Sequence, residues 1–322
     1  MNTKKLIKSS FSKTKRATLI ELKSIGIKGN RATVTNLDYL ISVPVSHLTD
    51  KRLSDGCYLI QSNIEDTLSG GFSAKLNMPR LISEEAEKEL RLLGEVNKEF
   101  FEKVVNLLPF SSHRESRWII NSIFVAPEGR LVATNSFTLG MYEINHGLDL
   151  GFAQVILPNR YDFIYKWIAK EAQGPIQLYL NEYKLRIVIG EVIIDLILIE
   201  GNYPNYKQVI PKLDDVSYEI PSDLFELFKT NKSIINHKSA IRRENDYNMG
   251  KSILILSDGS WCLLEGNPDT VISGKIKVRV ATDWFKMILD YSDGSLKYEG
   301  NDFGPVTFRN KDFYGIVMMV RW

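Results

Sequence analysis

The sequence predicts an α+β fold made of three repeated domains, in each of which two helices pack on antiparallel sheet. Three observations support this prediction. A strand–turn–strand pattern occurs three times, and a candidate helix lies before and after each occurrence. The 322 residues are also enough for two or three separate hydrophobic cores.

The three hairpins share one layout. Their strands alternate apolar and polar residues with a period of two, which is typical of half-buried antiparallel strands. The turns contain Gly, Asn or Asp, which tolerate the positive φ of tight turns. The hairpins are predicted over residues 19–45, 118–144 and 252–271, with turns at 28–30, 127–129 and 257–259.

Helices are predicted on both sides of each hairpin, because apolar residues there recur every three or four positions. The N-terminal helix carries Leu6, Ile7 and Phe11 on one face. The other helices before hairpins are predicted over 96–108 and 222–235. A strand that leads into a second helix follows each hairpin, over 57–68, 154–170 and 277–289.

The repeat divides the chain at polar connections. We predict an N-terminal domain over 1–82, a middle domain over 96–211 and a C-terminal domain over 212–322. Residues 83–95 are charged and amphipathic, which predicts a linker helix. Repeated domains imply repeated interfaces, and a head-to-tail interface closes into a ring when the rotation per domain allows it.

Composition narrows the class of protein only partly. A net charge of +2 neither indicates nor excludes nucleic acid, because a basic lining can be offset by an acidic exterior. No apolar run approaches the roughly 20 residues of a membrane span. Cys57 and Cys262 are too isolated for a disulfide framework or a zinc motif. We therefore expect a cytoplasmic protein without membrane contact.

No motif for catalysis is present in the sequence. It has no Walker A loop, no GxGxxG after a strand, no HExxH and no GxSxG. Its four histidines are scattered, without the spacing that metal ligands on one helix need. We predict that the protein is not an enzyme and that it needs no metal or other cofactor.

Basic residues recur on the predicted helices. Two interpretations stay open: a surface that binds phosphates without reading sequence, or a solvated helix face. The charge pattern alone favours the solvated face, since Glu99, Glu102 and Glu226 lie nearby. The basic residues concerned are Lys4, Lys8, Arg16, Arg160, Lys166, Lys170, Lys229, Lys232 and Lys286.

Three segments, in order, carry a family resemblance. GNYPNYKQVIP (201–211), RLVATNSFTLG (130–140) and YGIVMMVRW (314–322) resemble segments of the bacterial β sliding clamps, the DNA polymerase III β subunits. The resemblance covers 96–322 and, more weakly, 1–80. It implies a homodimeric ring of DNA-clamp domains, with helices lining the hole. Such a ring encircles double-stranded DNA as a processivity factor and holds DNA polymerase and the clamp loader through short linear motifs.

The resemblance also implies roles for particular residues. Arg16 and Trp118 match positions that contact DNA in the family. The resemblance also implies that the basic helices line the hole of the ring and face DNA. An interface between two copies would involve Phe72, Leu76, Ile234 and Ile235. A pocket for partner peptides would be lined by Ile120, Thr134, Phe137, Leu139, Pro211, Ile316 and Met318.

The sequence departs from the family in two places. A hairpin that is usual in the family is missing between Leu68 and Phe72, so the first domain is shortened. Ser136 and Phe137 replace a Gly-His pair, and Met319 replaces a proline, which predicts a reshaped pocket. The shortened domain leaves an alternative open: a clamp-like partner-binding protein that does not encircle DNA.

Overall fold

The computed structural model describes the backbone of most of the first two thirds of the chain and of shorter segments beyond. At residues 12–14, 69, 115, 218–219, 251–256, 261–265, 276–281 and 297–298 it describes the backbone alone. The described residues are 2–14, 24–59, 64–69, 89–151, 154–211, 218–219, 226, 251–256, 261–265, 276–281, 284, 289–291, 297–298 and 305–318.

The chain forms two compact units. Unit 1 consists of residues 1–105 and 146–200, and unit 2 consists of residues 106–145 and 201–322. Neither unit follows the predicted domain boundaries, since each combines segments from two predicted domains. The division into three domains therefore stays a prediction.

Four α-helices lie within the described residues, and none of them is long and apolar enough to span a membrane. In α1 the predicted apolar face is confirmed, because Leu6, Ile7 and Phe11 are buried. The predicted helix over 96–108 is confirmed as α3. The helices are α1 (Thr3–Thr14), α2 (Ile64–Ser69), α3 (Lys98–Leu107) and α4 (Asp162–Glu171).

Unit 1 is built on one antiparallel sheet of eight strands, in the order β4-β1-β2-β3-β12-β11-β10-β5. The predicted first hairpin is confirmed as β1 and β2, with residues 28–31 at the turn. The strands are β1 (Ser24–Lys28), β2 (Arg31–Thr35), β3 (Tyr39–Pro44), β4 (Gly56–Leu59), β5 (Arg91–Val96), β10 (Ile176–Leu180), β11 (Lys184–Ile189) and β12 (Val192–Ile197), and unit 1 also contains β9 (Val155–Pro158).

Unit 2 contains five strands in the antiparallel order β18-β19-β8-β7-β6, a three-stranded sheet β15-β14-β16, and the pair β13-β17. The second and third predicted hairpins are confirmed as β6-β7 and β14-β15. These strands are β6 (Ser122–Ala126), β7 (Arg130–Thr134), β8 (Thr138–Glu143), β13 (Tyr218–Glu219), β14 (Lys251–Leu256), β15 (Trp261–Glu265), β16 (Ile276–Ala281), β17 (Lys297–Tyr298), β18 (Val306–Asn310) and β19 (Phe313–Val317).

One turn occurs in both units with the same hydrogen bonds. It joins β2 to β3 over residues 35–39 and β7 to β8 over residues 134–138. In each turn an asparagine side chain, Asn36 or Asn135, accepts bonds from the two backbone N–H groups that lie two and three residues later. The residue after the asparagine has a φ of 77° in both turns: Leu37 in one, Ser136 in the other. The predicted internal repeat therefore extends to the hydrogen bonds of its turns.

The predicted linker helix over 83–95 is wrong for residues 91–95, which belong to β5. This strand pairs antiparallel with β10 and buries Leu93 and Val96. The pairing satisfies the backbone of the segment and overrides its local helix propensity. Residues 83–88 of the predicted helix lie outside the described residues.

The pairing of β8 with β19 places Gly140 opposite Gly315, and β18 places Phe308 opposite Gly315. A Cβ atom on Gly140 would lie 2.8 Å from the Phe110 ring, and one on Gly315 would overlap the Cζ end of the Phe308 ring. The two glycines therefore make room for aromatic side chains in the core of unit 2.

We predict that Gly315→Ala destabilises the protein by about 1–3 kcal/mol, because the Phe308 ring must move. Urea unfolding measures this change. The double variant Gly315→Ala with Phe308→Leu should lose less unfolding free energy than the two single variants lose in sum, because the smaller leucine side chain leaves room for the methyl group. Additive effects would contradict the proposed packing.

Candidate functional site

Unit 2 contains an apolar cavity of about 610 Å³. Its lining comes from three parts of the sequence: residues 116–139, the segment 204–209, and the end of β19 with the residue after it. The lining residues are Ser116, Arg117, Trp118, Ile119, Ile120, Thr134, Ser136, Phe137, Thr138, Leu139, Pro204, Asn205, Tyr206, Val209, Ile316 and Met318.

Paired strands supply the buried part of the lining. Leu139 on β8 lies opposite Ile316 on β19, and Thr134 on β7 lies opposite Leu139. Leu139, Ile316 and Ile120 are buried. Because strand register fixes these side chains, this part of the cavity is formed in advance of any ligand.

One wall contains Phe137, which packs on a second aromatic ring, and Met318. The Phe137 ring stacks on Trp284 with the ring centroids 5.1 Å apart and an interplanar angle of 20°. The backbone N–H of Met318 donates to the Phe137 carbonyl at 2.7 Å, which holds this methionine beside the aromatic ring. Met318 is 39% exposed, so its flexible side chain is available to a ligand.

A second part of the lining is the segment 204–209. It begins after Gly201, whose φ is 128° and whose missing side chain leaves space for Trp118 and Ile119. Tyr203 then stacks on Phe124 of β6, with the ring centroids 4.9 Å apart. These contacts fix the segment against the strands, so its exposed Val209 and the Trp118 ring border the cavity.

Glu128, in the turn between β6 and β7, holds the same segment. Its carboxylate accepts a hydrogen bond from the Tyr206 hydroxyl and lies 2.8 Å from Lys207 Nζ. Burial opposes ionisation of this carboxylate, but the bonds from Lys207 and Tyr206 outweigh burial and lower the pKa of Glu128 to about 2. Burial, together with the bond to Glu128, raises the pKa of Tyr206.

Six of the seven residues predicted for a peptide pocket line this one cavity: Ile120, Thr134, Phe137, Leu139, Ile316 and Met318. Pro211 does not line it, because the segment borders the cavity only as far as Val209. The sequence reading missed Pro204, Asn205, Tyr206 and Val209. The motif at 201–211 contains all four, but the resemblance implies a pocket role only for its last residue, Pro211.

Trp118 was predicted to contact DNA, and the structure places it at the cavity. Its side chain is 50% exposed and lines the cavity together with its neighbours Arg117 and Ile119. The sequence RWII itself points to this placement, because the resemblance implies a pocket role for Ile120, two residues after Trp118. A contact between Trp118 and DNA stays a prediction.

Five of the basic residues predicted to contact DNA lie on or beside α1 and α4 in unit 1. The start of α1 lies against the end of α4, where Trp167 Nε1 donates to the Asn2 carbonyl at 2.8 Å. Four exposed lysines, one pair with i, i+4 spacing on each helix, form what we call the basic face. It consists of Lys4, Lys8, Lys166 and Lys170.

Ion pairs reduce the charge of this region only in part. Lys4 lies 3.5 Å from Glu65 and Lys166 lies 2.8 Å from Asp162, both between exposed side chains. Such pairs are weak and are screened by salt, so a phosphate can replace the carboxylate. The fifth residue, Arg160, is more tightly held, because its guanidinium contacts the Tyr161 ring and lies 3.5 Å from Asp38.

The other predicted contacts lie outside the described residues. For DNA they are Arg16, Lys229, Lys232 and Lys286. For the interface between two copies they are Phe72, Leu76, Ile234 and Ile235. The missing hairpin of the first domain and Met319 fall outside them as well.

Sequence comparison finds bacterial β sliding clamps. The β sliding clamp of Escherichia coli K12 is 24% identical over 140 residues, which cover 42% of this chain and 38% of that protein. The β sliding clamp of Borreliella burgdorferi is 25% identical over 123 residues, which cover 37% of this chain and 31% of that protein. The chain thus matches less than half the length of these curated relatives. No protein-family model matches the sequence.

Comparison with solved structures covers the whole chain. The DNA polymerase sliding clamp of Pseudomonas aeruginosa gives a TM-score of 0.72 at 14% identity, covering 100% of this chain and 99% of that one. The sliding clamp of Bartonella birtlesii, solved with bound griselimycin, gives 0.71 at 15% identity, covering 98% of both chains. These likenesses define the class: an α+β protein with the DNA-clamp fold. The chain is a divergent relative of the bacterial β sliding clamps.

We predict that Glu128 contributes to stability in a pH-dependent way. Because its pKa is lowered from 4.5 to about 2, the contribution is complete above pH 4.5 and is lost as the pH falls toward 2. The free energy of unfolding of wild type should exceed that of Glu128→Gln by about 1–2 kcal/mol at pH 6, after allowance for the partial exposure of the carboxylate. This difference should vanish near pH 2.

Urea unfolding at several pH values measures this difference. Glu65→Gln is the matched control, since its exposed pair with Lys4 should contribute less than about 1 kcal/mol. A difference between wild type and Glu128→Gln that does not change with pH would rule out the proposed role of the carboxylate.

Proposed function

We propose that the protein is a DNA polymerase processivity factor, a sliding clamp that encircles duplex DNA and tethers polymerase and other replication or repair partners. The observation that carries this proposal is the cavity of unit 2, which is lined, on a clamp fold, by six of the seven residues that the resemblance implies for a partner-peptide pocket. An apolar cavity fixed by strand register suits the aromatic and leucine anchors of short linear motifs. The proposed activity is topological and involves no catalysis by this chain.

The basic face of unit 1 supports the DNA part of the proposal. Helix α1 carries four lysines and no acidic residue, and α4 adds Lys166 and Lys170. A clamp that slides needs phosphate contacts that are individually weak, independent of sequence and screened by salt. Exposed lysines on helices meet this requirement, because a lysine side chain contacts phosphate as a mobile point charge.

We further propose that two copies close the ring, with Phe72 and Leu76 of one copy facing Ile234 and Ile235 of the other. Both the clamp loader and polymerase would then bind through the cavity, one after the other. This assembly rests on the resemblance of the sequence to the clamp family and on the full-length match of the fold.

We predict that the protein, once loaded on nicked circular duplex DNA, stays bound at a salt concentration that removes it from linear duplex DNA. A closed ring leaves a circle only by opening, whereas it slides off a linear end. Gel filtration of labelled protein with each DNA measures retention. The variant Ile234→Asp with Ile235→Asp should be a monomer that lacks this retention. Equal loss of wild type from both DNAs would instead favour a partner-binding protein that does not encircle DNA.

We also predict that Phe137→Ala and Met318→Ala each weaken the binding of a short peptide ending in Leu-Phe. Each truncation removes contact area from the cavity, and a residue of this kind typically contributes on the order of 2 kcal/mol, or about thirtyfold in affinity. Fluorescence titration measures binding, while DNA association should stay nearly unchanged.

Leu92→Ala is the matched control for this titration. Leu92 is 47% exposed, comparable with Met318, but it lies on β5 of unit 1 and does not line the cavity. Its truncation should leave peptide affinity unchanged. If the cavity variants bind as tightly as wild type, the cavity is not the peptide site.

A further inference from the structure

We propose that Arg117 makes the cavity selective for a peptide whose apolar anchor is its last residue, so that the free terminal carboxylate meets the guanidinium. This inference rests on the proposed function and names the chemistry of the partner. Arg117 was not among the residues predicted from the sequence.

The position of Arg117 is the first observation. It lies in the 3-10 segment Glu115–Ile120, where its φ of −121° and ψ of 44° interrupt the helical backbone. Its Nη1 donates to the Asn135 carbonyl at 3.2 Å, and its guanidinium carbon lies 5.9 Å from the centre of the Phe137 ring. The backbone kink and these two contacts hold the cation at the aromatic wall.

The charge balance of the cavity is the second observation. Among the described lining residues, Arg117 is the one with a formal charge, and the other polar groups are neutral. The nearby carboxylate of Glu128 is already bound to Tyr206 and Lys207. A guanidinium has five N–H donors, and one described bond leaves donors available to a ligand. The cavity therefore favours an anionic group next to an apolar one.

The short distance between cation and apolar wall favours a terminal carboxylate as the anion. A free α-carboxylate is attached to the Cα of the anchor residue itself, so the residue whose side chain enters the cavity can also reach Arg117. In an extended peptide, the side chains next to the anchor point to the opposite face, away from the cavity. Arginine binds a carboxylate through two parallel N–H bonds, which adds geometric selectivity to the charge.

The test compares two peptides of the same sequence ending in Leu-Phe, one with a free carboxylate and one amidated. Wild type should bind the free acid about tenfold more tightly, since a hydrogen bond to a charged group is worth at least that factor. Arg117→Gln should bind both peptides with about the affinity of wild type for the amide. Arg117→Lys, which keeps the charge, should retain part of the preference.

Arg309→Gln is the matched control. Arg309 also lies over an aromatic ring of unit 2, 5.0 Å from the centre of Tyr314, but it does not line the cavity. This variant should keep the full preference for the free acid. Thermal unfolding of each variant shows whether it is folded. If Arg117→Gln does not fold, the result for Arg117→Lys decides the test.

Three outcomes would overturn the inference: no preference in wild type, the same preference in Arg117→Gln and Arg117→Lys as in wild type, or equally tight binding of an amidated peptide with an aspartate two residues beyond the anchor. In each case, peptide binding that still depends on Met318 would leave the proposed function intact. Absence of binding by both peptides would count against both proposals.

Discussion

The candidate site depends on the pairing of β8 with β19, two strands from opposite parts of the sequence. This pairing brings Leu139 beside Ile316 on one face of the sheet and Gly140 beside Gly315 on the other. The glycines admit the rings of Phe110 and Phe308, so the core face packs closely while the opposite face carries the cavity. Without the pairing, the predicted pocket residues would remain two unrelated apolar segments. Packing of the core and lining of the cavity thus use alternate residues of the same strands.

Unit 1 contains the same pairing with different side chains. There β3 pairs with β12, Asp195 lies opposite Leu40, and the Asp38 carbonyl accepts from Ile197 N–H just as the Phe137 carbonyl accepts from Met318. Asp195 stands where unit 2 has Ile316, and it binds Lys184 at 2.7 Å, fully buried, and Arg186 at 2.7 Å. Such a cluster is weak evidence for added stability, because the cost of desolvating the charges offsets their attraction. The same backbone arrangement thus carries a buried charged cluster in unit 1 and an apolar cavity in unit 2.

Local pattern was enough to predict the hairpins, the apolar face of α1 and the helix α3, whereas the cavity residues were predicted only from the family resemblance. Period-two alternation and turn residues are properties of short segments, and the resemblance supplied which segments meet. The sequence could not predict β5 as a strand, because its partner β10 lies far along the chain. Nor could it predict Arg117, whose role depends on a kink and on a turn that ends at Thr138. To predict β5 and the position of Arg117, one would need to know which residues are neighbours in space, and residue types alone do not give this.

The basic face and the proposed peptide cavity use different interactions and share no residue. Contacts between exposed lysines and phosphates weaken steeply as salt rises, whereas apolar burial in a preformed cavity does not. A ring can therefore slide freely while its hold on a partner persists. A carboxylate contact at Arg117 would add a moderate dependence on salt to peptide binding, because one ion pair is screened less where apolar side chains surround it. The slope of peptide affinity against salt should then be shallow, and it should flatten further in Arg117→Gln.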